Sequence, residues 1–256
     1  MSSQTITNSW FKYCTIRSRP RLRLFCFPHA GGGASQFRLW GEELPDYVEV
    51  YPVQLPGREE RFGERPFTEF SPLLPSLKAA IFPYIDRPFA FLGHSMGALI
   101  CFELARYLRR CNLPMPLHLF VSAHRAPQLP RRGACLHTLP SAQFIQAIDK
   151  LAGTPLELLK NSEAMETFLP LLRADFTLCE TYTYTQEDPL PASLSACGGM
   201  MDDSVSSQEL DAWRAQTTSA FNQHMFPGAH FYLQSKRTLF LQFLSSRLDR
   251  LLQEMK

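Results

Sequence analysis

Apolar runs and amphipathic stretches alternate along most of this chain. Leu22-Arg23-Leu24-Phe25-Cys26-Phe27 reads as a short buried strand, stopped by Pro28 and the loop His29-Ala30-Gly31-Gly32-Gly33. Residues 35–44 carry a helical pattern, and Tyr47–Val53 a second strand closed by Leu55-Pro56-Gly57-Arg58. Leu73–Tyr84 reads as a helix, Pro88–Leu92 as a third strand, and 96–110 as a helix. In that last helix Leu99, Phe102, Ala105 and Leu108 are in register, and Arg106, Arg109 and Arg110 lie toward the end favoured by the helix dipole. Leu117–Val121 is a fourth strand. Ser193–Cys197 and Gln223–Phe226 are later ones, with helices over 207–216 and Lys236–Leu252. Strands alternating with helices predict βαβ units and a mostly parallel sheet covered on both faces. The strands lack strict alternation, as expected when both faces are buried. Between about 140 and 185 the alternation stops. Phe144, Ile145, Ile148, Leu151, Leu156, Leu158, Leu159, Phe168, Leu169, Leu171 and Leu172 recur at helical spacing, punctuated by Pro155 and Pro170. This predicts a helical insertion over one edge of the sheet within a single domain spanning 1–256. Residues 1–20 are polar and mixed, and are expected on the surface.

Composition narrows the function classes. The 256 residues carry a formal net charge of +2, too little for a global field that grips nucleic acid. Hydrophobic residues are 45% and charged ones 20%, enough apolar mass to fold rather than stay disordered. No apolar run approaches the ~20 residues needed to span a bilayer, so no membrane association is expected. The start, MSSQTITNSWFKYC, lacks a charged segment followed by an apolar one, so no secretory signal is visible. Seven scattered cysteines without a CxxC pair predict buried thiols in a reducing cytoplasm, with neither zinc nor a disulfide framework.

The chemistry-bearing signal is Gly93-His94-Ser95-Met96-Gly97, after a strand and opening a helix. A nucleophile elbow needs that setting: a tight turn lifts the serine hydroxyl clear, and glycines stand where side chains would collide. A serine needs a base, and in this architecture the acid and then the histidine follow later in the chain. Asp202 follows a predicted strand, with Asp203 as its rival. His230, in Pro227-Gly228-Ala229-His230, follows the last strand, with His224 as the rival. Loops at the carboxyl ends of parallel strands gather at one edge, so Ser95, an Asp and His230 can converge. The remaining candidates, His94, His118, His124 and His137, read as packed or solvated. Acyl transfer also needs donors for a developing oxyanion. The Met96 N–H and an N–H from the glycine-rich loop, Ala30, are the candidates. That loop lacks the lysine and spacing of a phosphate cradle.

Several segments together, "LFCFPHAGGGA", "VYPVQLPGREERFGE", "FAFLGHSMGALICFELAR", "LFVSAHRAP", "RADFTLCETYTY" and "FPGAHFYL", resemble the type II thioesterases of polyketide and nonribosomal peptide synthetases. Medium-chain acyl thioesterases of fatty acid synthesis share the pattern. The resemblance runs from about residue 10 to 245. It implies an α/β-hydrolase fold with a helical lid, matching the insertion at 140–185. It also implies hydrolysis of acyl or aminoacyl groups from the phosphopantetheine arm of an acyl or peptidyl carrier protein. The usual role of such enzymes is editing. Ser95 is then nucleophile, His230 base and Asp202 the orienting acid, with Met96 and Ala30 at the oxyanion; no metal or organic cofactor is required. Phe144, Ile148, Leu151, Phe168 and Leu172 are candidates to cover an acyl pocket. Arg17, Arg19, Arg21 and Arg23 form a basic cluster that could steer an acidic carrier or simply be a solvated edge. A cytoplasmic monomer is expected. Two departures stand out: Met200 and Met201 precede Asp202, and Ala229 stands where glycine is common. A stand-alone carboxylesterase would use the same triad, and a non-catalytic module on the same scaffold would not need it.

Overall fold

The computed structural model describes residues 8–150 and 162–254. Six strands form one sheet: β1 (Leu22–Phe27), β2 (Val48–Pro52), β3 (Phe89–His94), β4 (His118–Ser122), β5 (Ser193–Gly199) and β6 (Phe221–Phe226). Their spatial order is β2-β1-β3-β4-β5-β6, and every pairing is parallel. The helices are α1 (Trp40–Glu43), α2 (Phe70–Ile81), α3 (Met96–Arg110), α4 (Ser141–Lys150), α5 (Ser162–Glu180), α6 (Ser207–Asp211), α7 (Tyr232–Ser235) and α8 (Arg237–Glu254).

The sheet splits the core in two. Along β1, Phe25 and Phe27 pack with Leu77 of α2 and Ile100 and Leu104 of α3. Leu22, Leu24 and Cys26 point the other way, toward Trp40, Phe240 and Leu244. Every residue of β1 to β4 is buried, so these strands are largely apolar, broken by buried polar residues such as Arg23 and Glu49. A third, smaller cluster, Phe144, Ile148, Met165 and Leu172, lies where α4 meets α5. No described helix is long and apolar enough to cross a membrane.

Three expectations need correction. The helix expected over 35–44 is a 3-10 turn, Ala34–Phe37, followed by the short α1. Pro170 does not punctuate: α5 runs through it for 19 residues. Proline removes one ladder bond and costs about 3 kcal/mol in a helix interior. Pro170 faces solvent, and burial of Leu171, Leu172, Ala174 and Leu178 just beyond it offsets that cost. The N-terminal stretch is not merely superficial. Phe11 bridges to Val53 and is buried against the rings of Phe25, Tyr51 and Tyr84.

Candidate active site

Ser95 sits between the last residue of β3 and the first of α3, with φ 54° and ψ −115°. Few L-residues adopt positive φ, and the strain is held by the surroundings. The Ser95 N–H donates to the carbonyl of Ser122 at the end of β4, 2.7 Å away. A Cβ on Gly93 would lie 2.0 Å from the Gly97 carbonyl oxygen, and one on Gly97 would lie 2.1 Å from that of Phe27. The elbow therefore closes only with glycine at both positions.

The loops after β5 and β6 bring the partners. The Ser95 hydroxyl donates to His230 Nε2 at 3.0 Å, and His230 Nδ1–H donates to Asp202 Oδ2 at 2.7 Å. The other oxygen of Asp202 accepts from the Ser204 N–H at 2.9 Å and the Ser204 hydroxyl at 2.5 Å. Ser204 Oγ also lies 3.0 Å from His230 Nδ1. Burial tends to raise the Asp202 pKa. The His230 hydrogen bond and charge, joined by both Ser204 donors, outweigh it and hold the carboxyl below its ordinary range. The side chain of Asp202 is only 2% exposed, whereas Asp203 is exposed and makes no bond to His230. Sequence reasoning did not single out Ser204; its place two residues after an acid, where a hydroxyl can close a local turn, was the available signal.

The rival histidines are placed elsewhere. His224 is exposed on β6 and stacks on Phe243. His118 contacts Ser195 Oγ at 2.8 Å, but both are buried within neighbouring strands and no carboxylate completes that pair. His94 bonds Ser122 Oγ, which bonds the Tyr232 hydroxyl, beneath the His230 ring. Burial, then the neighbouring His230 and His29, holds His94 neutral well below its ordinary pKa. Burial likewise pushes His29 and His124 down to about 4. His137 donates to Glu180, and Cys135 lies near both, a group whose atoms could face a metal. The Glu180 oxygens already accept the Leu136 and His137 N–H groups, so the cluster reads as an anchor for that loop.

A cavity of about 230 Å³ opens beside Ser95. His29, Ala30, Met96, His230 and Phe231 line its reactive end, and Ile148, Leu172, Phe176 and Cys179 supply a helical wall. Among the described residues, neither the Ala30 nor the Met96 N–H has a protein acceptor. Of the expected cover residues, Ile148 and Leu172 reach the cavity. Phe144 does not: it is fully buried against Phe176 and under the Arg173 guanidinium. Phe168 packs on Gly31 outside the lining, and Leu151 lies outside the described residues. Phe176 and Cys179 were missed, though they follow Leu172 at i+4 and i+7 on one helix face. Burial pushes the Cys179 thiol pKa well up.

The basic cluster is largely neutralised from within. Arg23 is buried and pairs with Glu49 and Asp86, and Arg17 pairs with Asp46. Only Arg19 and Arg21 face solvent.

A family model described as "Thioesterase domain" matches residues 22–248. The chain is 45% identical over 241 residues to the gramicidin S biosynthesis protein GrsT of Aneurinibacillus migulanus, covering 94% of each. It superposes on the RedJ thioesterase of the prodiginine pathway of Streptomyces coelicolor with a TM-score of 0.83 at 39% identity, covering 89% of this chain and 90% of that one. On the type II thioesterase BorB of the borrelidin cluster the TM-score is 0.86 at 31% identity, covering 96% and 100%.

Proposed function

We propose that this chain, which belongs to the thioesterase family, removes acyl or aminoacyl groups from the phosphopantetheine arms of carrier proteins in peptide or polyketide assembly. The observation that carries this reading is the hydrogen-bonded run Ser95–His230–Asp202 at the mouth of a largely apolar cavity. Ser95 attacks the thioester carbonyl as His230 Nε2 takes its proton. The Ala30 and Met96 N–H groups hold the oxyanion, each such donor being worth ~10²–10³ in rate. His230 returns the proton to the departing pantetheine thiol. It then takes a proton from the water that attacks the acyl-Ser95 ester and passes it to the departing Ser95 oxygen. Asp202 keeps the Nδ1–H tautomer in place and stabilises the imidazolium.

Helices α4 and α5 serve as the lid, with α5 over the acyl group. At about 230 Å³ the cavity is smaller than the ~300–1,000 Å³ of sites that enclose a drug-sized ligand. It suits a short acyl or aminoacyl group rather than the whole arm, as an editing role requires. Seven unpaired thiols suit a reducing cytoplasm. The test is incubation with carrier proteins bearing different acyl and aminoacyl groups, followed by intact mass, beside a matched small oxygen ester. Release from carriers with little ester cleavage is expected. Preference for the free ester would overturn the reading in favour of a carboxylesterase.

A further inference from the structure

We propose that Asp175, locked by Arg58, is a positioning residue that holds the Ala30 N–H in its oxyanion-binding orientation, so that α5 is part of the catalytic machinery as well as a cover. The proposal rests on the assignment of Ser95 as nucleophile.

The loop after β1 turns at His29-Ala30-Gly31-Gly32, closed by the Gly32 N–H on the His29 carbonyl at 3.0 Å. Gly31 has φ +76°. A glycine at this position lets the central peptide of a tight turn face either way, so closure alone does not fix the loop. Asp175 supplies what is missing. Its Oδ2 accepts the Gly31 N–H at 2.7 Å, fixing the peptide next to the Ala30 N–H. Arg58 grips the same carboxylate through both nitrogens, at 2.8 and 2.9 Å, and donates to the Gly32 carbonyl at 3.1 Å. Arg58 and Asp175 are 3% and 1% exposed. Successive polar groups of the turn are thus held by one buried ion pair.

Stability alone is a weak explanation for such a pair. A buried, bidentate ion pair is costly to desolvate, and apolar residues of similar volume commonly do as well or better. What the pair adds is directional: charge-assisted bonds of fixed geometry on one particular peptide. The same helix also presses side chains on the turn. A Cβ on Gly31 would lie 2.6 Å from Leu172 Cδ2 and 3.1 Å from Phe168 Cζ. Leu172 in turn walls the cavity. One helix therefore touches both the space for the acyl chain and the loop that receives the negative charge.

The experiment replaces the pair by apolar residues, Arg58→Met with Asp175→Leu, so that no charge is left buried alone. The Gly31 N–H and the Gly32 and Pro56 carbonyls lose a partner, so the thermal midpoint is expected to fall while the variant still unfolds cooperatively above assay temperature. On a soluble acyl thioester kcat should fall about a hundredfold, the effect of losing one oxyanion donor, with KM within about threefold. Affinity for a trifluoromethyl ketone analogue of the tetrahedral intermediate should fall by the same factor, and that for an unreactive thioether analogue should not. A purely structural pair would leave this contrast unmoved. If the apolar pair does not fold, Arg58→Gln with Asp175→Asn replaces it, and at least a tenfold loss in kcat is expected. A folded pair variant with kcat within threefold of the parent overturns the proposal. Fluorophosphonate labelling of the parent, abolished by Ser95→Ala, tests the nucleophile separately. A parent that does not label overturns both readings, and a labelled parent with a fully active pair variant overturns only this one.

Discussion

Asp202→Asn should cost about 10³–10⁴ in kcat, and the reason lies in Ser204. Two donors, the Ser204 N–H and hydroxyl, converge on Asp202 Oδ1, while Oδ2 faces His230 Nδ1. An asparagine has one oxygen, and these two donors claim it. Its NH₂ then points at His230 Nδ1, which must become an acceptor. The imidazole proton moves to Nε2, where it meets the Ser95 hydroxyl instead of receiving its proton. Reversing the amide would forfeit two hydrogen bonds at about 1 kcal/mol each, so the productive tautomer is a minor one. The forming imidazolium also loses a charge-assisted partner, about 1.5–3 kcal/mol. Together these reach roughly 3.5–5 kcal/mol, or on the order of 10³–10⁴ at 1.36 kcal/mol per tenfold. The assay is kcat from thiol release on an acyl-N-acetylcysteamine thioester. Asp203→Asn should change it less than twofold. Adding Ser204→Ala to Asp202→Asn removes one of the donors that pin the amide, and should raise kcat above that of the single variant. An Asp202→Asn enzyme within tenfold of the parent would refute the reasoning.

Other consequences follow from the cavity, the histidines and the elbow. Leu172→Ala should lengthen the preferred acyl chain, read from kcat/KM across a homologous thioester series. Phe144→Ala should instead lose about 3–5 kcal/mol of stability in urea unfolding with no change in chain preference, since it packs behind the wall. Burial holds the folded His29 pKa near 4, below its ordinary 6.5. The unfolded chain therefore takes up protons that the folded one refuses. Stability should fall as pH drops from 6.5 toward 4, by on the order of 3 kcal/mol from this group, and His29→Gln should flatten that slope in pH-dependent melts. With His29, His94 and His124 held neutral, the acid limb of kcat/KM should have slope one, and a slope of two would contradict it. Gly97→Ala should yield insoluble or unfolded protein on expression, because its Cβ would meet the backbone of Phe27 and Pro28, which cannot swing aside as a side chain can.

Much of the fold and of the triad geometry was legible because the signals are local. Strand, turn and helix around Ser95 occupy adjacent residues, and parallel strands carry the loops bearing Asp202 and His230 to the same edge. Asp202 and Asp203 were separable only weakly, since both lie in one loop and side-chain direction decides between them. The linkage of Arg58 to Asp175 was invisible for a different reason. The residues are 117 positions apart, and nothing in either neighbourhood names the other. The same distance effect hid the partners of Arg17 and Arg23, so a run of arginines resembled a patch. The face Leu172, Phe176 and Cys179 could have been read from helical spacing. Pro170 obscured it by suggesting that the helix ended there.

Cys179 lies on α5, in the wall of the cavity. A sulfhydryl beside an activated acyl group is an invitation to transthioesterification, which would strand the cargo on the wrong atom. Burial raises the Cys179 pKa, which disfavours the thiolate that would attack. On the proposed cycle the acyl group then pauses on the Ser95 oxygen, with solvent as its final destination.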